Sequence, residues 1–393
     1  MPSTPIFVET DHETAEDAGT TAAFFQTSTT ELQRIAELDG SAKDVAAYLV
    51  LCGGVNERRN LRFTTHGALS VSKRTGIGYR DAANSIAWLA EHEFIYVPPG
   101  LADEDPPQRL SRKNQVQWVI TDEAPDVGIS KQFLEGVRKG VKTPLVAFFE
   151  KVRGGDDIST VEAGVDALVL FAVLMRELDF GAWGGVNPLA WSNTFVPVAD
   201  DEDGSLPPAE LAIEGTDQVL MTIQEGESDY ARCAVMNEAL KYVKDDSRRR
   251  SRFWHALHQL RQAQLLYRAL VLWKGDPLGT DRPRHAEPQA TLYINDGWAR
   301  QIDEQIQDEV NRAAWRLVLD YKESEFDKEG QINEALAERY RFIVKSGTQG
   351  QYVVLGQLRV RFWPASGPMV AGREVDRGRT RAWARSAKNL KLR

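Results

Sequence analysis

The chain has 393 residues, 42% hydrophobic and 27% charged, with a formal net charge of −9 at pH 7. This is the balance of a soluble globular protein long enough for two or three cores. No apolar run reaches the roughly 18 residues of a membrane span, and the N-terminal segment lacks the basic start and apolar centre of a secretory signal.

Residues 1–30 are polar, acidic and rich in threonine, the composition of a disordered tail. Helical signals begin at Glu31, and Ser41 is placed to cap a helix over Ala42–Leu51. The most informative stretch is Val71–Ile95, VSKRTGIGYRDAANSIAWLAEHEFI. Gly76-Ile77-Gly78 ends one short helix and opens another. In the second helix Ala82, Ile86, Leu89 and Ala90 recur at the i, i+4, i+7, i+8 spacing of a buried stripe. Tyr79, Arg80, Ala83, Asn84 and Ala87 fall on the opposite face. Phe94 to Val97 starts a strand, a Pro-rich loop follows, and Val116–Ile120 alternates as a returning strand. This stretch resembles the winged helix-turn-helix family, whose second helix enters the DNA major groove.

Further along, Ile129–Arg153 reads as helical, with Pro144 opening a second segment. Val165–Leu178 is an apolar helix comparable to Val45–Cys52. After an acidic insertion come helical signals over Cys233–Val243 and Ser247–Leu266. That last stretch aligns with the first helix-turn-helix at an offset of 171 residues: Leu257 falls on Ile86, Leu260 on Leu89, and Leu265-Leu266 on Phe94-Ile95. A second wing fits over Leu266–Trp273 and Ala290–Ile294, so the chain reads as an internal repeat. Trp298–Tyr321 and Ile332–Phe342 read as amphipathic helices, Tyr352–Phe362 as a strand, and Gly372–Arg393 as a basic tail that is either a short helix or an extended arm.

The negative net charge has a local origin. From Glu177 to Ala231 there are twelve Asp and Glu and no Lys or Arg, leaving 48 basic against 45 acidic residues elsewhere. Phosphate attraction follows local potential within a Debye length of about 8 Å, so a basic face survives an acidic total. The insertion is either a solvated linker or a segment that docks on that face. Cys52 and Cys233, far apart in apolar surroundings, read as free buried thiols in a reduced cytoplasm.

The resemblance implies roles for particular side chains. Tyr79, Arg80 and Asn84 sit at the exposed start of the recognition helix, where Arg matches guanine O6 and N7 and Asn matches adenine N6 and N7. Ser72, Lys73 and Arg74 would lie near the phosphate backbone. Arg109, Arg112 and Lys113 on the first wing, and Arg282 and Arg284 on the second, are placed for minor-groove or phosphate contacts. Arg248, Arg249, Arg250, Arg252 and His255 occupy the second recognition-helix entrance, with His255 at the position of Asn84. Arginines so close repel one another unless an anion lies opposite, which points to a phosphate backbone. Asp245 and Asp246 as internal partners are the alternative. Trp88 is expected under the wing and Trp383 as an anchor of the tail. His255 and His258 have a metal-pair spacing without the further ligands zinc needs. No Gly-rich phosphate loop, metal-spaced Cys pair or Gly-x-Ser-x-Gly elbow occurs, so neither enzyme nor cofactor is expected.

The sequence therefore predicts a mostly α (α+β) fold with two winged helix-turn-helix domains in tandem and a C-terminal helical extension. The domains run 31–155 and 160–297, the latter with the acidic insertion at 197–229; an extension at 298–371 and a basic arm at 372–393 follow. The expected partner is double-stranded DNA, bound sequence-specifically by a cytoplasmic transcriptional regulator; no membrane partner is expected. A homodimer or protein contact would run through the C-terminal extension. Two alternatives stand beside it: a plasmid or phage replication initiator, which tandem winged helices resemble, and a winged-helix protein-interaction scaffold.

Overall fold

A computed structural model describes residues 24–58, 61–98, 117–121, 124–137, 141–153, 158–187, 196–197, 210–212, 219–224, 234–274, 287–295, 341–346 and 350–390. Strand β1 (Phe24–Thr27) opens them, followed by helix α1 (Thr29–Glu37), whose Ser28 N-cap accepts from the Glu31 amide at 3.3 Å. Helix α2 (Ala42–Gly53) starts at Ser41, whose amide and hydroxyl both donate to Asp44 Oδ2 at 2.7 Å. Every residue of α2 from Val45 to Cys52 is buried, as expected of a helix apolar all round.

Strands β2 (Val55–Arg58) and β3 (Leu61–Thr64) form a hairpin ahead of helices α3 (Ala68–Thr75) and α4 (Tyr79–Glu91). Strands β4 (Ile95–Tyr96) and β5 (Trp118–Ile120) return to it, and the antiparallel order is β2-β3-β5-β4. The turn between α3 and α4 rests on Gly76 at φ +70°, the left-handed region that disfavours a side chain. A Cβ there would also press on Val146 at 3.3 Å. Gly78, at φ −61°, faces open space. Gly76→Ala is therefore expected to lower stability by about 1–2 kcal/mol, and Gly78→Ala to change it by no more than about 0.5 kcal/mol. Urea midpoints compare the two directly; equal shifts would remove the turn's special role.

Strand β6 (Val127–Ser130) pairs antiparallel with β1, joining Phe24 to Ser130 and Thr27 to Val127. The helices α5 (Gln132–Glu135), α6 (Pro144–Arg153) and α7 (Ile158–Arg176) follow. Next come β7 (Leu178–Asp179), the short α8 (Phe180–Trp183) and β8 (Gly185–Val186). Strands β9 (Val196–Pro197), β10 (Glu210–Ala212) and β11 (Val219–Gln224) precede helices α9 (Ala234–Ala239) and α10 (Asp246–Gln262). The chain continues through β12 (Leu266–Lys274), β13 (Glu287–Asn295), β14 (Arg341–Ser346) and β15 (Gly350–Val360) to helix α11 (Gly367–Leu390). A seven-stranded sheet runs β10-β11-β14-β15-β12-β13, with β9 also on β11. Helices α2 and α7 pack together, and the buried residues of both halves form one continuous core. The fold is mixed helix and strand. Among the described residues no helix is long and apolar enough to cross a membrane.

The 171-residue offset recurs in the backbone. Glu93 and Gln264 have positive φ of 62° and 56°. Phe94 N donates to Leu89 O at 2.9 Å, and Leu265 N donates to Leu260 O at 2.9 Å. Each helix thus ends in the same left-handed turn that feeds a strand. Strand pairing differs: β5 is the neighbour shared by β3 and β4, whereas β12 lies between β13 and β15.

Several expectations are corrected. Phe24–Thr27 is a strand and not part of a tail, and Val127–Ser130 is a strand where a helix was expected from Ile129. The insertion at 197–229 supplies β10 and β11 to the large sheet, so it is not simply a linker. Of the two readings of the basic segment from Gly372, the helix holds over the described residues: α11 begins at Gly367, runs to Leu390 and packs on α8 and β13. Arg341 and Phe342 start a strand where a helix was expected to end. The predicted helix Trp298–Tyr321 lies outside the described residues.

Candidate nucleic-acid interface

Helix α4 is divided lengthwise. Ala82, Ser85, Ile86 and Leu89 are buried, and Ile77 ahead of them is 1% exposed, anchoring the helix start. Outward lie Tyr79 at 62% exposure, then Arg80, Asn84, Ala87 and Glu91. Asp81 meets Lys43 of α2 at 2.9 Å. Trp88 stacks on His92 at 4.1 Å and on Phe94 at 5.9 Å, so it packs within the fold as expected.

On α3 the predicted phosphate contacts separate. Lys73 is exposed. Ser72 donates its hydroxyl to Ile77 O at 2.8 Å and braces the turn. Arg74 is half-buried and pairs with Glu135 at 3.6 Å. The structure thus gives Ser72 and Arg74 internal partners. Arg109, Arg112, Lys113, Arg282 and Arg284 lie outside the described residues.

The arginine cluster of α10 is also split. Asp245 caps the helix, accepting from Arg248 N at 2.7 Å and Ser247 Oγ at 2.6 Å, and these bonds hold its carboxyl below the usual carboxylate range. Arg249 donates to Val243 O through Nε and Nη2, at 2.9 and 2.6 Å, and to Asp246 at 2.7 Å. Arg252 clamps the buried Asp166 of α7 through two 2.7 Å bonds. Tyr242 donates its hydroxyl to the same carboxylate at 2.5 Å. Arg249 and Arg252 are therefore corrected from phosphate contacts to internal ties. They share the helical face of Phe253, Ala256 and Leu260, which is buried. Arg248 and His255 remain exposed, joined by Ser251 and Gln262, which carry no charge to mark them in the sequence. The side chains of Arg250 and His258 lie outside what the structure describes.

The C-terminal basic residues follow the same pattern. Arg373 pairs with Asp376, which also binds Arg359 at 3.0 Å. Arg377 meets Glu374 at 3.3 Å, and Arg379 donates to Gly181 O at 2.7 Å. A cleft of about 310 Å³ beside α10 is lined by Glu37, Asp39 and Asp245 as well as Lys244, Arg248 and Arg252. Its opposed charges do not make an anion pocket. Burial pushes the Cys52 thiol up, so it stays protonated in the core, while Cys233 lies outside the described residues. Among the described residues no group of three or more His, Cys, Asp or Glu is placed to hold a metal ion.

No protein-family model, curated protein or solved structure matches this chain. The functional reading therefore rests on geometry alone.

Proposed function

We propose that the protein binds double-stranded DNA sequence-specifically, with α4 as a recognition helix of a winged-helix unit spanning α2 to β5. The observation that carries this reading is the lengthwise division of α4. One face is locked into the core, while its N-terminal end presents Tyr79, Arg80 and Asn84 to solvent beside the exposed Lys73. The order helix, hairpin, helix, tight turn, helix and returning strands supports the same unit.

Arg80→Ala and Asn84→Ala are each expected to weaken binding to a selected site by about 1–3 kcal/mol and relax specificity at one base pair. Lys73→Ala is expected to weaken all sequences alike and lower the salt slope by about 1. Fluorescence anisotropy on matched and mismatched duplexes measures both. Unchanged affinity in all three variants would move the reading to a protein-interaction scaffold.

The role assigned is transcriptional regulation. The matching burial of Ile86, Leu89, Phe94 and Ile95 with Leu257, Leu260, Leu265 and Leu266, 171 residues on, favours a second reading, a replication initiator of the kind tandem winged helices resemble. Footprints at several evenly spaced origin sites would select the initiator, and one promoter site the regulator.

A further inference from the structure

Resting on the reading of α4 above, we infer that the chain recognises a composite duplex site of two unlike half-sites at one fixed spacing, the second read by Ser251 and His255 on the outward face of α10. The offset that matches the two helix ends also matches their outer faces. Ser251 falls on Arg80, His255 on Asn84 and Gln262 on Glu91, and all six are exposed. Inner faces correspond as well, with Leu257 and Leu260 buried like Ile86 and Leu89. Of the arginine cluster the outer stripe of α10 keeps Arg248, while Arg249 and Arg252 turn inward.

The two helices are tied to the core in parallel ways. Lys43 on α2 pairs with Asp81 on α4, and Asp166 on α7 pairs with Arg252 on α10. Asp81 and Arg252 are themselves 171 residues apart, so the tie recurs with its charges exchanged. Helix α6 packs on both α3 and α10, while α2 packs on α7 within one core. The two outer faces are thereby held at one separation and one rotation, so a DNA partner must present its half-sites to match. Their side chains differ in kind. Arg80 and Asn84 are two-point donors or acceptors for purine edges, whereas a serine hydroxyl and an imidazole each reach one point. Unlike faces read unlike half-sites, which separates this arrangement from a homodimer on a palindrome.

The test is selection from a random-sequence duplex library with the full chain, followed by selection with Ser251→Ala/His255→Ala and with Arg80→Ala/Asn84→Ala. Both pairs are exposed, and thermal melting checks that folding is unchanged. The expected result is a composite motif in which each double variant loses information in a different half. The composite site should bind the Ser251→Ala/His255→Ala chain about 5- to 150-fold more weakly. Inserting five base pairs between the halves turns one about half a helical turn and should reduce affinity to that of a single half-site. A single half-site indifferent to Ser251→Ala/His255→Ala would overturn the inference and leave the α4 reading standing. Palindromic halves or tolerated spacings would overturn it too. Absence of any enriched motif would remove the α4 reading and this inference together.

Discussion

Asp376→Ala is expected to lower stability by about 3–5 kcal/mol, because it leaves two buried guanidinium groups facing each other without their shared carboxylate. Asp376 Oδ2 receives Arg359 Nη2 at 3.0 Å and also receives Arg373. All three side chains are at most 6% exposed. Both guanidinium groups lie near the Phe180 ring, at 5.3 and 5.2 Å from its centroid. Arg359 belongs to β15 and donates through Nε to Gly184 O at 2.6 Å, so this one carboxylate ties the sheet, α8 and α11 together. Urea denaturation of the full chain measures the effect, and cleavage by protease within α11 reports whether that helix releases first. The control is Glu374→Ala, whose carboxylate is 59% exposed opposite Arg377; a change within about 0.5 kcal/mol is expected there. Equal effects from the two variants would show that burial of the Asp376 cluster contributes nothing.

The contrast between these acids shows where a sequence stops being legible. Spacing located α2, α3 and α4, because an apolar stripe with Ser41 ahead of it or Gly76 after it is a local signal. The antiparallel pairs β4-β5 and β12-β13 and the 171-residue offset are likewise visible in runs of neighbouring residues. Strands β1 and β6 were not, since their pairing joins Phe24 to Ser130 and neither four-residue stretch declares a partner about a hundred residues away. The candidate site divides in the same manner. The exposed face of α4 follows from helical period alone, and the structure leaves Arg80 and Asn84 outward. Charge density in the α10 arginines does not say which face each one occupies. Arg249 and Arg252 stand with Phe253 and Ala256 on the inward side, where Val243, Asp246 and Asp166 engage their guanidinium groups and turn them away from the outward face. One signal for the inward arginine does stand in the sequence: Asp166 is an acid within the otherwise apolar run Val165–Met175, and a buried carboxylate requires a polar or cationic partner from elsewhere in the chain.

That partner makes Asp166→Ala the second severe substitution, with an expected loss of about 3–5 kcal/mol. Asp166 is fully buried and holds Arg252 by two parallel 2.7 Å bonds while accepting from Tyr242 at 2.5 Å. Burial and the adjacent carboxylate push the Tyr242 phenol well above its ordinary range, so it remains protonated and donates at any physiological pH. The related tie in the first unit, Lys43 with Asp81, is 43% and 44% exposed, and water screens it. Lys43→Ala is accordingly expected to cost no more than about 1 kcal/mol. Replacing Asp166 and Arg252 together by leucine should recover most of the single-variant loss, because no charge is then left buried without a counterpart. If the double variant falls as far as Asp166→Ala, the fold depends on the geometry of the fork itself rather than on charge balance. Urea midpoints of the three variants separate these outcomes. Because Arg252 sits one residue from Ser251 on α10, Asp166→Ala should also loosen the outward face that we assign to the second half-site. Its effect on DNA affinity is expected to fall on composite sites and to spare a half-site read by Arg80 and Asn84.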